Sequence, residues 1–272
     1  MNTWIEKSIR LANSHGYLDK LYEVYPIIRS GNRPLDKVLW GKIEHHYRKK
    51  NWETVIELLI ENVKTKQGVF PYKESYVGFW KRDVTTISKS PEQVKRVAKI
   101  LESMTFEGIL EACSRPKETN QQIGPMFRNW CNLDSNPLGL KKMDNNEFIN
   151  SGGDGFLDGS DAVLKKFAKD YLGYSINKGL DFIARINHQY VIGEAKWITD
   201  SGGNQDKSFE DAKTMVEDKN LKNNVIPIMI LDGILYLKRN DKIYTNLTHK
   251  FKDYNIMSAL VLKEFLHELK PS

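Results

Sequence analysis

Residues 179–200 read GLDFIARINHQYVIGEAKWITD. Apolar and polar side chains alternate on both sides of Asn187-His188, the pattern of two strands joined by a tight turn. With those two residues as the turn, Arg185 faces Tyr190, Ile183 faces Ile192 and Asp181 faces Glu194. Directly opposed side chains share a sheet face with Cβ atoms about 4.5–5.5 Å apart, so the two carboxylates become neighbours. The strand period of two places Lys196 on the same face and turns Val191, Ala195 and Trp197 to the other.

Like charges opposed across a sheet destabilise it, and a divalent cation between them removes the conflict. Converging carboxylate oxygens suit Mg²⁺, which takes one or two carboxylates, keeps several waters and accepts phosphate oxygens. A lysine beside such a site can orient an attacking water, which points to metal-dependent phosphodiester hydrolysis. An amphipathic hairpin with one solvated face has the same alternation of Asp, Arg, Glu and Lys, and a three-residue turn would separate the pair. Spacing alone leaves both readings open.

The remaining composition is globular. The 272 residues are 40% hydrophobic and 28% charged, with 6 Trp, 12 Tyr and 11 Phe, which excludes a disordered chain. A net charge of +6 leans towards a polyanionic partner. Cys113 and Cys131 are the only cysteines and lie in no metal-ligand or CxxC spacing, which fits a reducing cytoplasm. The opening MNTWIEKSIRLANSHG lacks the apolar core of a signal peptide, and no run of about 18 apolar residues exists to span a membrane. A soluble cytoplasmic protein is expected.

Residues 1–150 read as mostly helical. Ser90, Pro91 and Gln93 form a start signal for a helix over 91–104 with Val94, Val97, Ile100 and Leu101 on one face, and Val55, Leu58, Leu59 and Val63 repeat that spacing. After the glycine-rich break at 151–155, Ser160 caps a helix striped by Leu164, Phe167, Ala168, Tyr171 and Leu172 and ended by Gly173. Past the hairpin come a helix over 206–219, the apolar run VIPIMIL at 225–231, an Asp232-Gly233 hairpin turn into ILYLK, and a last helix near 257–269. This predicts an α/β (α+β) protein, with a mostly helical region over 1–150 and an α/β core over 151–272.

Asp181, followed after twelve residues by Glu194-Ala195-Lys196 on a hairpin behind a helix, resembles the active-site motif of the PD-(D/E)xK nuclease superfamily, although Leu180 stands where that motif has proline. Together with FLDGSDAVLKKFA at 156–168 and RPKETNQQIGPMFRNW at 115–130, the stretch 115–210 looks like prokaryotic type II restriction endonucleases. That resemblance implies a restriction-endonuclease-like mixed sheet flanked by helices, with the region over 1–150 contributing to DNA recognition and dimerisation and a PD-(D/E)xK-like catalytic core over 151–272. It also implies Asp181 and Glu194 as Mg²⁺ ligands, Lys196 as the residue that positions water, and products ending in 5′-phosphate and 3′-hydroxyl. A homodimer on palindromic double-stranded DNA follows, with a separate DNA methyltransferase protecting the host.

Residues for reading DNA are sought in two polar segments. Arg115, Lys117, Asn120, Gln121, Gln122 and Arg128 mix cations and amides as phosphate and base-edge contacts require, and Asn204 and Gln205 carry amides suited to adenine. Asp158 and Asp161 are either further metal-site carboxylates or charges favoured at a helix N-terminus. Three rivals share these features: a repair, recombination or structure-specific nuclease with the same core, a DNA-binding module without catalysis, and a helical interaction domain.

Overall fold

The computed structural model describes residues 1–26, 33–65, 68–116, 122–199, 204–238 and 242–271, except for the side chains of 204–208 and 211. The chain forms two compact units, Met1–Ile27 with Glu118–Ser272, and Ile28–Lys117. The division therefore does not follow the residue-150 boundary expected from local patterns. The first 27 residues belong with the sheet-bearing unit, and an internal stretch forms the helical one.

In chain order, α1 (Thr3–Ala12) and α2 (Tyr17–Val24) open the sheet unit. The helical unit holds α3 (Lys37–Arg48), α4 (Trp52–Lys64), α5 (Val77–Arg82), α6 (Thr85–Ser88), α7 (Pro91–Glu102) and α8 (Phe106–Ser114). The sheet unit resumes with α9 (Ile123–Cys131), β1 (Lys142–Met143), α10 (Asn145–Asn150), β2 (Gly155–Leu157) and α11 (Asp161–Tyr171). It continues through β3 (Phe182–Ile186), β4 (Gln189–Ile198), α12 (Asn204–Val216) and β5 (Val225–Gly233), and ends with α13 (Lys242–Thr245), β6 (Ile256–Met257) and α14 (Ala259–Glu268). The result is a mixed α/β fold with strand order β1-β2-β3-β4-β5-β6. The pairs β2–β3 and β3–β4 are antiparallel and the other three parallel.

The hairpin has the expected register: Arg185 pairs with Tyr190, Ile183 with Ile192 and Phe182 with Gly193. Asn187 and His188 both take positive φ, 48° and 64°, as a two-residue turn matched to strand twist requires. Helices cover both faces. Phe182, Ala184, Val191 and Ala195 pack into a core shared with α1, α2, α9 and α14, while Ile183 and Ile192 pack with α10 and α11. VIPIMIL lies within β5, a strand with parallel neighbours on both sides, which explains its unbroken apolar character.

The helix signals hold in part. The Ser160 side chain accepts from Val163 N–H, and Gly173 ends α11 at φ 80°. Helix α7 starts at Pro91, but Ser90 makes no side-chain cap bond and the Gln93 side chain instead accepts from Arg96, so the capping box is not formed. The Asp232-Gly233 hairpin is also absent. β5 runs through both residues, a 3-10 turn follows at Ile234–Tyr236, and the next strand is the parallel β6. The reason is tertiary: the fully buried Asp232 carboxylate accepts from Tyr25 Oη at 2.8 Å, Ser258 Oγ at 2.5 Å and Ala259 N–H at 3.1 Å.

The helical unit has a separate core, with Leu39, Trp40 and Ile43 of α3, Val55, Ile56, Leu59 and Ile60 of α4, and Val97 and Leu101 of α7 at its centre. Cys113 and Cys131 are both buried and free. No helix among the described residues is long and apolar enough to cross a membrane.

Candidate active site

Asp181 precedes β3 by one residue, and Glu194 and Lys196 lie on the second half of β4. The hairpin ladder ends irregularly here. The Asp181 N–H donates to Gly193 O at 2.9 Å, and its Oδ2 accepts the Ala195 N–H at 3.0 Å. The carboxylate is thus fixed against the peptide that links Glu194 to Ala195. The solvated-face reading does not fit this geometry: Glu194 is 7% exposed, and the Asp181 side chain 11%.

Each carboxylate is held by a cation of the chain. Asp181 Oδ1 pairs with the guanidinium of Arg128, and Glu194 Oε1 with the Lys196 ammonium. Burial nonetheless pushes both acids above the usual carboxylate range. For Asp181, desolvation outweighs the Ala195 N–H, Arg128 and Lys196, and nearby Asp161 adds to the rise. For Glu194, desolvation outweighs Lys196 and Lys178, and Asp181 adds to the rise. Two neighbouring carboxylates that resist ionisation are an arrangement a divalent cation relieves.

The two further acids differ in their partners. Asp158 forms a 3.1 Å ion pair with Lys142. Asp161 occupies the first turn of α11 and approaches Gly179, where an added Cβ would lie 2.9 Å from its Oδ2. Among the described residues no group of three His, Cys, Asp or Glu side chains converges to hold a metal. Asp181 and Glu194 are two buried carboxylates that resist ionisation at this end of the hairpin, with Asp161 near Asp181.

The polar segment 115–130 is divided between the two units. Arg115 belongs to the helical unit, where its carbonyl accepts from Arg33 Nε at 2.9 Å, whereas Gln122 and Arg128 belong to the sheet unit. Gln122 caps the start of α9 through its backbone. Lys117, Asn120 and Gln121 lie outside the described residues, as do the side chains of Asn204 and Gln205, which begin α12. The role of Gly124 was not foreseen: on α9, one turn before Arg128, an added Cβ would fall 2.3 Å from Asp181 Oδ1. The four-residue spacing from Gly124 to Arg128 is a weak sequence signal, visible only once both are known to face one carboxylate.

The sequence model of the Tsp45I type II restriction enzyme family matches residues 2–269. The chain belongs to that family. Membership makes it a restriction endonuclease that acts on DNA, and the match spans both units. No curated protein and no solved structure matches the chain.

Proposed function

We propose that this restriction endonuclease is a Mg²⁺-dependent, site-specific enzyme for double-stranded DNA with a PD-(D/E)xK-type centre at Asp181, Glu194 and Lys196. The observation that carries the reading is the pair of buried neighbouring carboxylates, with a lysine ammonium on one of them. Asp181 and Glu194 would hold the metal, which when bound supplies Lewis-acid stabilisation of charge growing on the phosphate. Lys196, its ammonium on Glu194 and its side chain 29% exposed, would orient the water that attacks phosphorus in line. Breaking the bond to the 3′ oxygen leaves a 5′-phosphate and, once that oxygen takes a proton, a 3′-hydroxyl.

The helical unit is assigned to holding the DNA backbone. Residues 28–117 carry 18 Lys and Arg against 11 Asp and Glu, whereas the rest of the chain carries 23 against 24. The whole positive excess therefore lies in the helical unit, the distribution expected of an element that attracts phosphates. Arg115 and Lys117 at its edge would contribute to phosphate contact. Asn120, Gln121, Gln122, Asn204 and Gln205 are proposed for contacts that read bases. A homodimer would bring one centre to each strand of a palindromic site, in a prokaryotic cytoplasm alongside a separate methyltransferase.

Digestion of a fully sequenced, unmethylated DNA tests this directly. Discrete fragments with Mg²⁺ and intact DNA with EDTA are expected, and the fragment ends locate the recognition sequence. Intact DNA with both Mg²⁺ and Mn²⁺ would overturn the catalytic assignment.

A further inference from the structure

Arg128 occupies a position that the proposed reaction leaves unexplained. Its guanidinium contacts Asp181 Oδ1, the other oxygen of that carboxylate is held by the Ala195 N–H at 3.0 Å, and the Arg128 side chain is 17% exposed. Gly124 brings the α9 backbone so close that a Cβ there would overlap the same Oδ1. The carboxylate is therefore enclosed by a strand amide, a helix backbone and one cation. That cation sits on the oxygen left open by the strand, where a metal ligand would be needed.

We infer that Arg128 is a positioning residue that serves as the resident counter-cation of Asp181, and that it couples DNA binding to divalent-metal binding by exchanging Asp181 for a DNA phosphate. The inference rests on the reading of Asp181 as a metal ligand. An arginine does not lose its proton in proteins, so it cannot yield to an incoming metal by becoming neutral. It yields only by finding another anion. A phosphate oxygen offers the same two-pronged geometry as a carboxylate and is the anion that DNA brings. Without DNA, Arg128 competes with the metal for Oδ1. With DNA, the guanidinium moves to the phosphate and Oδ1 is freed, so each ligand raises the affinity for the other.

Removing the Arg128 charge should therefore improve metal binding, although the residue lies inside a nuclease centre. Mn²⁺ alone, titrated into the full-length protein without DNA and followed by the loss of its free electron-spin resonance signal, is the probe. Arg128→Gln should bind Mn²⁺ roughly tenfold more tightly than wild type, the scale of one charge-assisted contact. Arg128→Met, which keeps an extended side chain without the charge, should show the same gain, and Arg128→Lys should stay near wild type. Mn²⁺ should also raise the melting temperature of Arg128→Gln more than that of wild type, since the metal replaces the missing counter-cation. Unchanged or weaker Mn²⁺ affinity in both neutral variants, with Asp181→Ala clearly weakened, would overturn this inference and leave the metal site standing. Wild-type Mn²⁺ affinity in Asp181→Ala would overturn the metal site and the inference with it.

Discussion

The sheet unit and the helical unit use charge in opposite ways. In the sheet unit acids and bases nearly balance, and several acids are buried at defined places: Asp181 on Arg128, Glu194 on Lys196, and Asp232 on two hydroxyls and an amide. The helical unit has an excess of seven positive charges, with Lys42, Lys49 and Lys81 exposed and outside any ion pair among the described residues. Burial makes a charge chemically special but contributes little to long-range attraction. Exposure does the reverse, since solvated charges keep ordinary protonation and set the field that a polyanion meets. A chain that must both attract DNA and cut it benefits from keeping the two kinds apart.

The contrast fails first if the buried acids are not special. Asp232 is pushed up to about 6 by burial, against the hydrogen bonds from Ser258, Ala259 and Tyr25 that favour its ionised form. The folded protein then holds a proton between roughly pH 4 and 6 that the unfolded chain has released. Stability from this group is highest below that window and falls as pH rises through it, by about 3 kcal/mol. Asp232→Asn, neutral throughout, should remove that fall from a denaturation series at pH 4 to 7. An identical pH profile in the variant would show that Asp232 ionises as it does in water.

The second test strikes the geometry of the centre. Gly124→Ala places a methyl group against Asp181 Oδ1, so either α9 or the carboxylate must shift. A displacement of this kind should lower single-turnover cleavage by about a hundredfold, with DNA affinity little changed. Wild-type cleavage would show that the close approach of α9 has no part in catalysis.

The smallest effect concerns the helical unit. Replacing Lys42, Lys49 and Lys81 together by alanine should reduce the slope of log affinity against log salt by up to roughly 3, about 0.9 for each phosphate no longer neutralised. The control replaces the exposed Lys169, Lys219 and Lys252 of the sheet unit and should change the slope less. Equal changes would mean that net charge alone, wherever it lies, sets the attraction.

The β3–β4 hairpin was legible in the sequence because its information is local. Alternation and a two-residue turn fix the register, and the register makes Asp181 and Glu194 neighbours. Whether those charges were solvated was not legible, because burial depends on α9, α10 and α11 covering the hairpin from positions outside it. The Asp232-Gly233 dipeptide misled for a related reason: it has the composition of a turn, but the partners that bury the aspartate are Tyr25 and Ser258, the first 207 residues away in sequence. The two units were hidden because one is inserted within the other, and a local composition change near residue 150 carries no sign of that. Asp158 and Asp161, three residues apart and alike in sequence, diverge only once α11 turns one towards Gly179 and leaves the other on Lys142.

If the paired carboxylates of the sheet unit cut the DNA, single-turnover cleavage by Glu194→Gln beside wild type shows it most plainly, with DNA affinity measured on the same samples in Ca²⁺. Binding within a few-fold of wild type is expected, with cleavage slowed by about a thousandfold, the scale of removing a group that stabilises transition-state charge. A Glu194→Gln protein that binds DNA and cuts it at the wild-type rate would take the carboxylate pair out of the chemistry.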